Sequence, residues 1–142
     1  MKISTKGRYA LRLMIDLACH PGSAPVSLKD VAERQEISLK YLEQIVGLLG
    51  RAGFVRSVRG PQGGYRLARP PEGYTVGEIL RLTEGSLAPV SCLEDAENPC
   101  ERCGQCGTVD FWAGLYAEIN RYIDRFTLAD LVAAERRKAG EA

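Results

Sequence analysis

The sequence predicts a mainly α-helical fold with one small β wing, on three observations. Two short amphipathic patterns, each opened by a serine, run from Ser27 to Leu49 around a brief break. A glycine-tipped, arginine-rich alternation follows from Phe54 to Ala68. Further on, aromatic and aliphatic residues recur at helical spacing from Trp112 to Phe126. The 142 residues are 45% hydrophobic and 26% charged, the proportions of an ordinary soluble protein. That length allows one compact domain with an additional element, or a protomer that completes its core by dimerising.

The first helix is expected from about Lys6 to Cys19, with Tyr9, Leu13, Ile15, Leu17 and Ala18 as apolar surface and His20-Pro21-Gly22 as its stop. Arg12 and Asp16 interrupt the apolar run, so it is neither a signal peptide nor a membrane span, and the chain is expected in the cytoplasm. Cys19 fits the pattern as a small core residue. His20, the single histidine, fits a helix end, where it meets the dipole or solvent.

Ser27 with Asp30 three residues on opens the second helix as a capping box, with Leu28, Val31 and Ala32 facing inward. The turn falls at Gln35 to Ile37, and Ile37 plugs its inner side. Ser38 caps the third helix, whose Leu42, Ile45, Val46 and Leu49 share the buried face. Its outer face carries Lys40, Glu43, Gln44 and Gly47: donors, a carboxylate, an amide and a residue small enough for close approach. Base edges are read by such groups.

Two polar-faced helices also occur in plain bundles. What sets this pair apart is the strand-like Phe54 to Val58, which pairs back on Tyr65 to Ala68 across Arg59-Gly60-Pro61-Gln62-Gly63-Gly64. Arg56, Arg59, Arg66 and Arg69 crowd this hairpin. A basic hairpin directly after a recognition helix is the plan of a winged helix-turn-helix, with the helix in the major groove and the wing against phosphates or the minor groove. Charge agrees with this plan. Residues 1–70 hold 12 lysines and arginines against 5 acids, residues 71–142 hold 7 against 13, and the basic half is the one with the reading motif.

After the breaker Arg69-Pro70-Pro71-Glu72-Gly73, Thr75 caps a short helix carrying Val76, Ile79, Leu80 and Leu82 that ends near Gly85. Residues 85–107 show no periodicity. Thr108 then caps a helix about 28 Å long at 1.5 Å per residue, with Asp110 in its first turn. Its stripe of Trp112, Leu115, Tyr116, Ile119, Tyr122, Ile123 and Phe126 is too long for a small head to cover, so it is expected to form a homodimer interface. Thr127 with Asp130 starts a last helix through Leu128, Leu131 and Val132, and the tail RRKAGEA is expected to fray. The expected parts are a winged head over 1–84, a cysteine-rich loop over 85–107, and a dimerisation helix with a C-terminal helix over 108–142.

The loop holds Cys92, Cys100, Cys103 and Cys106. In a chain without an export signal, clustered cysteines indicate metal or redox chemistry before structural disulfides. Thiolates select zinc, copper(I) or iron–sulfur clusters. Cys100, Cys103 and Cys106 match the first three positions of a bacterial ferredoxin run, while Asp110 occupies the fourth. Four cysteines equally suit a tetrahedral zinc site.

The opening KISTKGRYALRLMIDLA, the helix ISLKYLEQIVGLL and the wing VRSVRGPQGGYRLA resemble the family of winged-helix regulators that includes the iron–sulfur regulator IscR, the nitric-oxide sensor NsrR and the cysteine-metabolism repressor CymR. The resemblance covers nearly the whole chain. It implies a homodimeric transcription factor, in which Ser38, Lys40, Tyr41, Glu43, Arg59 and Gly60 match DNA-contacting positions. Gln44 joins them from the outer-face reading. Lys40 departs from the small polar residue of IscR, which implies a different operator preference.

By the same resemblance, Cys92, Cys100 and Cys106 match the three cluster cysteines of the IscR and NsrR branches, and Cys103 is an additional thiol. IscR has a histidine ligand where this chain has Val109, so Cys103, Asp110, His20 or a group of the partner subunit stands as the fourth ligand. The expected cofactor is an iron–sulfur cluster, [2Fe-2S] ahead of [4Fe-4S], with zinc or no metal as the alternative. The segment SLAPVSCLEDAENP looks like the CymR branch, whose members lack cluster cysteines, and this implies a regulatory partner protein instead. With no nucleophile–base pair and no second histidine, no enzyme is expected. The expected function is thus a DNA-binding regulator, a repressor on an inverted-repeat operator, controlled by a cluster. The alternatives are a thiol- or zinc-dependent regulator and a CymR-like repressor.

Overall fold

The structure is a computed structural model that describes residues 2–140. Its order is α1 (Thr5–Cys19), α2 (Leu28–Gln35), α3 (Leu39–Arg51), β1 (Val55–Val58), β2 (Gly64–Leu67), α4 (Val76–Glu84), α5 (Val109–Arg125) and α6 (Leu128–Lys138), with short 3-10 turns at Pro71–Gly73 and Ser91–Leu93. This is the mainly helical fold with a two-stranded antiparallel wing that the pattern predicts.

Helix α1 begins one residue earlier than expected because Ser4 caps it, its hydroxyl accepting from Gly7 N–H. Its buried face is wider than the apolar pattern: Ala10 and Met14 join Leu13 and Leu17 in the core, and Tyr9 is only half-buried. Cys19 packs partly against the same core. The serine caps of α2 and α3 form, with Ser27 accepting from Asp30 N–H and Ser38 from Tyr41 N–H, but the capping box expected at Ser27 closes only on the serine side. Leu42, Ile45, Val46 and Leu49 are all buried, and Ile37 plugs the turn. The turn itself rests on Glu36 in the left-handed region at φ 54°. A non-glycine residue seldom sits there, so sequence offers no warning of it.

Wing pairing runs from Val55 opposite Leu67 to Val58 opposite Gly64. A third strand-like contact was not legible: Val26 bridges Tyr65, with N–H to carbonyl distances of 3.0 and 2.8 Å in the two directions. Gly64 permits this approach, since a Cβ there would lie 2.2 Å from the Val26 carbonyl oxygen. The wing is thereby fastened to the segment leading into α2.

Both threonine capping boxes close reciprocally, Thr75 with Glu78 and Thr127 with Asp130. Thr75 and Thr127 also form a bridge, flanked by Val76 N–H to Phe126 carbonyl at 2.9 Å and Leu128 N–H to Tyr74 carbonyl at 3.0 Å. Leu128 and Val132 consequently lie in the same core as α1. Contrary to the expected fraying, α6 continues through Arg136, Arg137 and Lys138, whose charges suit a helix C-terminus. Residues 141–142 of that tail lie outside the described residues. Among the described residues no helix is long and apolar enough to cross a membrane.

Tyr74 was not singled out in the sequence, yet it is fully buried. Its hydroxyl donates to the Phe54 carbonyl at 2.6 Å and accepts from Ala68 and Arg69 N–H at 3.0 Å each, joining both wing strands to the start of α4. Tyr74→Phe leaves the Arg69 N–H without its partner, while the Ala68 N–H keeps its own bond of 3.1 Å to the Phe54 carbonyl. Leaving one such group unpaired costs about 1–3 kcal/mol, so urea unfolding should show a loss of at least about 1 kcal/mol. A smaller loss would mean that water takes over the hydroxyl's role.

Candidate nucleic-acid interface and cysteine loop

Helix α3 projects Lys40, Glu43 and Gln44 into solvent, with half-buried Gly47 on the same side. Because the opposite face is buried, the helix cannot rotate without exposing its apolar row, and these side chains are held outward. Ser38 is exposed but its hydroxyl is already used as the cap. Tyr41 is half-buried, with its ring edge-on to Tyr9 at 5.8 Å and 87°. Lys6 shares a shallow recess with Gln44 and Arg51, which sets a cation from α1 beside the one at the end of α3 itself. Only the packing of α1 beside α3 brings Lys6 there.

Arg59 and Gly60 form the exposed wing tip, where Gly60 takes φ 121° and Gly63 N–H closes the turn on the Gly60 carbonyl at 2.9 Å. Of the four wing arginines, Arg56 and Arg59 are exposed along β1 and at the tip. Arg66 donates to the Ser23 carbonyl. Arg69 serves the fold: its guanidinium stands over the rings of Phe54 and Tyr74 at 5.0 and 4.5 Å, donates to the Gly73 carbonyl at 2.7 Å, and lies 3.5 Å from Glu78. The even crowding expected of four arginines is thus a division between presentation and anchoring.

In the cysteine loop, Cys92 sits in the 3-10 turn, Cys100 is exposed, and Cys103 and Cys106 are half-buried. Asn98 Oδ1 accepts from Cys100 N–H at 2.9 Å, and the Cys100 carbonyl accepts from Cys103 N–H at 3.1 Å. None of these four is in a disulfide. Among the described residues no three cysteine, histidine or acidic groups are gathered as a metal site. By donor chemistry the four thiols fit an iron–sulfur cluster or zinc. His20, one candidate fourth ligand, caps α1, with Nδ1 at 2.8 Å from the Asp16 carbonyl. Asp110 is exposed in the first turn of α5.

Thr108 precedes α5 as expected, but its hydroxyl makes no cap bond and lies 3.2 Å from Cys106 Sγ instead. This contact, with the N–H groups of Thr108 and Val109 and the charge of Arg102, holds the Cys106 thiol below its ordinary pKa. The expected stripe on α5 divides into two faces. Tyr116, Ile123 and Phe126 pack against Val76, Leu80 and Leu87 of the head and the loop root. Leu115 and Tyr122 remain 38% and 57% exposed, together with Phe111 at 66%, which the periodic reading passed over.

The model of the Rrf2 family, described as iron-dependent transcriptional regulators, matches residues 3–134. The regulator CymR of Bacillus subtilis is 44% identical over 133 residues, covering 94% of this chain and 91% of the relative. IscR of Aliivibrio salmonicida is 40% identical over 132 residues, covering 93% and 77%. The solved structure of B. subtilis CymR, described as a global cysteine regulator, matches with a TM-score of 0.77 at 42% identity over 94% of this chain and 98% of that one. T. potens IscR matches with a TM-score of 0.77 at 42% identity over 97% and 90%.

The Cys106 environment has a direct test in reduced, metal-free protein. Thr108→Val removes the hydroxyl contact, raises the thiol pKa, and lowers the thiolate fraction near neutral pH. Iodoacetamide labelling of Cys106, followed by peptide mass spectrometry, should slow several-fold. An unchanged rate would assign the shift to the backbone amides.

Proposed function

The chain belongs to the Rrf2 family of transcriptional regulators, which are not enzymes, and from that premise we propose that it is a cytoplasmic repressor that binds an inverted-repeat operator as a two-fold homodimer. In this reading residues 1–84 read the DNA, 85–107 sense, and 108–142 hold the dimer. The observation that carries it is the outward presentation of Lys40, Glu43 and Gln44 on a helix locked by its buried face, beside a wing whose tip offers Arg59 and Gly60. Ser38 and Tyr41 complete the proposed contact set at the helix start. The exposed Phe111, Leu115 and Tyr122 support dimerisation through α5. Two-fold symmetry then sets half-site centres about 10 base pairs apart or a multiple of it.

Glu43 and Arg59 should fail differently. A carboxylate gains nothing from phosphate, and its suitable partner is a cytosine amino group, so Glu43→Ala should relax preference at one position of each half-site by about 1–3 kcal/mol. Arg59→Ala should weaken binding to every sequence and lower the salt slope by about 1. Binding measured across operator variants and salt concentrations separates the two, and an even loss of affinity for Glu43→Ala would refute base reading.

The sensing reading is an iron–sulfur cluster, [2Fe-2S] ahead of [4Fe-4S], held by Cys92, Cys100 and Cys106 with Cys103 as fourth ligand. Four thiols outside any disulfide and the iron-dependent description of the family support it. A bound cluster supplies a redox-sensitive centre; the chain's part is to order the loop and, through its junction with α5, to shift the dimer helix. A second reading, a CymR-like repressor that uses no cluster and answers to a partner protein, is supported by the likeness to CymR. Anaerobic purification with iron and sulfide analysis tests these. Under the cluster reading, Cys92→Ala, Cys100→Ala and Cys106→Ala each abolish the visible absorption, and equal loss in Cys103→Ala makes Cys103 the fourth ligand. A colourless protein with stoichiometric zinc would leave a structural zinc site, and one without metal would leave the CymR-like reading.

A further inference from the structure

Helix α1 carries a polar device within its apolar face. Asp16 is 2% exposed, and its carboxylate accepts from Arg34 Nε at 3.1 Å, Arg34 Nη2 at 2.7 Å and Gln35 Nε2 at 3.0 Å. The amide of Gln35 is oriented by that bond and turns Oε1 to Arg12, whose Nε donates to it at 3.1 Å. Arg12 Nη2 also donates to the main-chain carbonyl of Gln35, the last residue of α2 before the left-handed Glu36. The same guanidinium stands over the Tyr9 ring, 5.2 Å from its centroid. Tyr9 in turn meets Tyr41, in the first turn of α3, edge-on at 5.8 Å.

We propose that Arg12 is a positioning residue for DNA recognition: it clamps the turn between α2 and α3 through Gln35 and, by stacking on Tyr9, sets the ring of Tyr41 and the entry of α3. Asp16 is the buried base of the clamp, since it orients the Gln35 amide that Arg12 grips. The inference rests on the DNA-binding reading of α3. Its physical logic is preorganisation: a reading helix whose first turn is fixed before DNA arrives loses less freedom on binding. The guanidinium is suited to this place because its rigid planar fork bonds two acceptors while its face stacks on a ring, a combination that the compact, strongly hydrated ammonium of lysine lacks.

The test uses the full chain, an operator duplex enriched from a random library by the unaltered protein, and a scrambled duplex of equal length. Affinity is measured against salt for each, together with Tm. Arg12→Lys keeps the charge but loses the fork and the stacking, so operator binding should weaken about tenfold, as for a lost base contact, with scrambled binding and the salt slope unchanged. Tyr9→Leu carries no change of charge and should repeat the pattern, which keeps the test valid if the arginine variant fails to fold. Full operator affinity in Arg12→Lys, with Arg12→Gln losing both duplexes and about one unit of salt slope, would make Arg12 a phosphate contact and overturn the proposal. A lowered Tm with discrimination intact in both Arg12→Lys and Tyr9→Leu would also overturn it. Enrichment of no operator by the unaltered protein would instead refute the DNA-binding reading beneath it.

Discussion

Burial of one face of α1 is the constraint on which the other elements depend. Helices α2, α3, α4 and α6 and strand β2 all pack on it, and its Leu13 and Met14 are wholly enclosed. Fully burying such a side chain contributes roughly 1.5–3 kcal/mol, so the orientation of α1 is strongly determined and each neighbour takes its position from it. The recognition helix is one of those neighbours. Its outer face points to solvent because its inner row closes against α1, and Lys6 arrives beside Gln44 by the same packing.

A second set of contacts ties the C-terminal part to this head through α4. Arg81 grips Asp124 with two bonds of 2.8 Å and Asn120 with one of 2.9 Å. The pairing holds the Asp124 carboxyl below its usual range, so it favours the folded chain above the ordinary carboxylate range and fades as acid protonates it. Gly77 leaves room for this carboxylate, because a Cβ there would lie 2.0 Å from it. At the far end of α4, Glu84 accepts from Ser4 N–H and hydroxyl and from Gly7 N–H at the start of α1. The cysteine loop begins at the next residue. Its root is therefore fastened to both α1 and, through Leu87, the apolar contact with α5.

This arrangement joins the cysteine loop and the proposed reading head in one body. The loop between α4 and α5 has little buried surface beyond Leu87, so it is the part whose order a ligand or a change of thiol state can alter at low cost. The elements at its two ends are rigid: one is bonded to the helix that positions α3, and the other is the helix with exposed Phe111, Leu115 and Tyr122.

Much of this was determined by sequence alone, because the signals concerned are local. A serine or threonine meets amides three residues away, and periodic apolar residues share a face whatever lies opposite; thus the caps at Ser27, Ser38, Thr75 and Thr127, the buried row of α3 and the hairpin were all legible. Tertiary structure decided whatever depends on a distant partner. Arg56 and Arg69 read alike in a basic hairpin, yet Arg69 became an anchor because Tyr74 and Phe54 offer it their rings. Asp16 read as an interruption of an apolar helix, yet it is buried because Arg34 and Gln35 arrive from α2. The cysteine spacing announced soft donors, but spacing holds no distance between loop residues, so where the thiols lie relative to one another is a matter of tertiary structure. Sequence determines what each segment does for itself, and only packing determines what segments far apart in the chain do for one another.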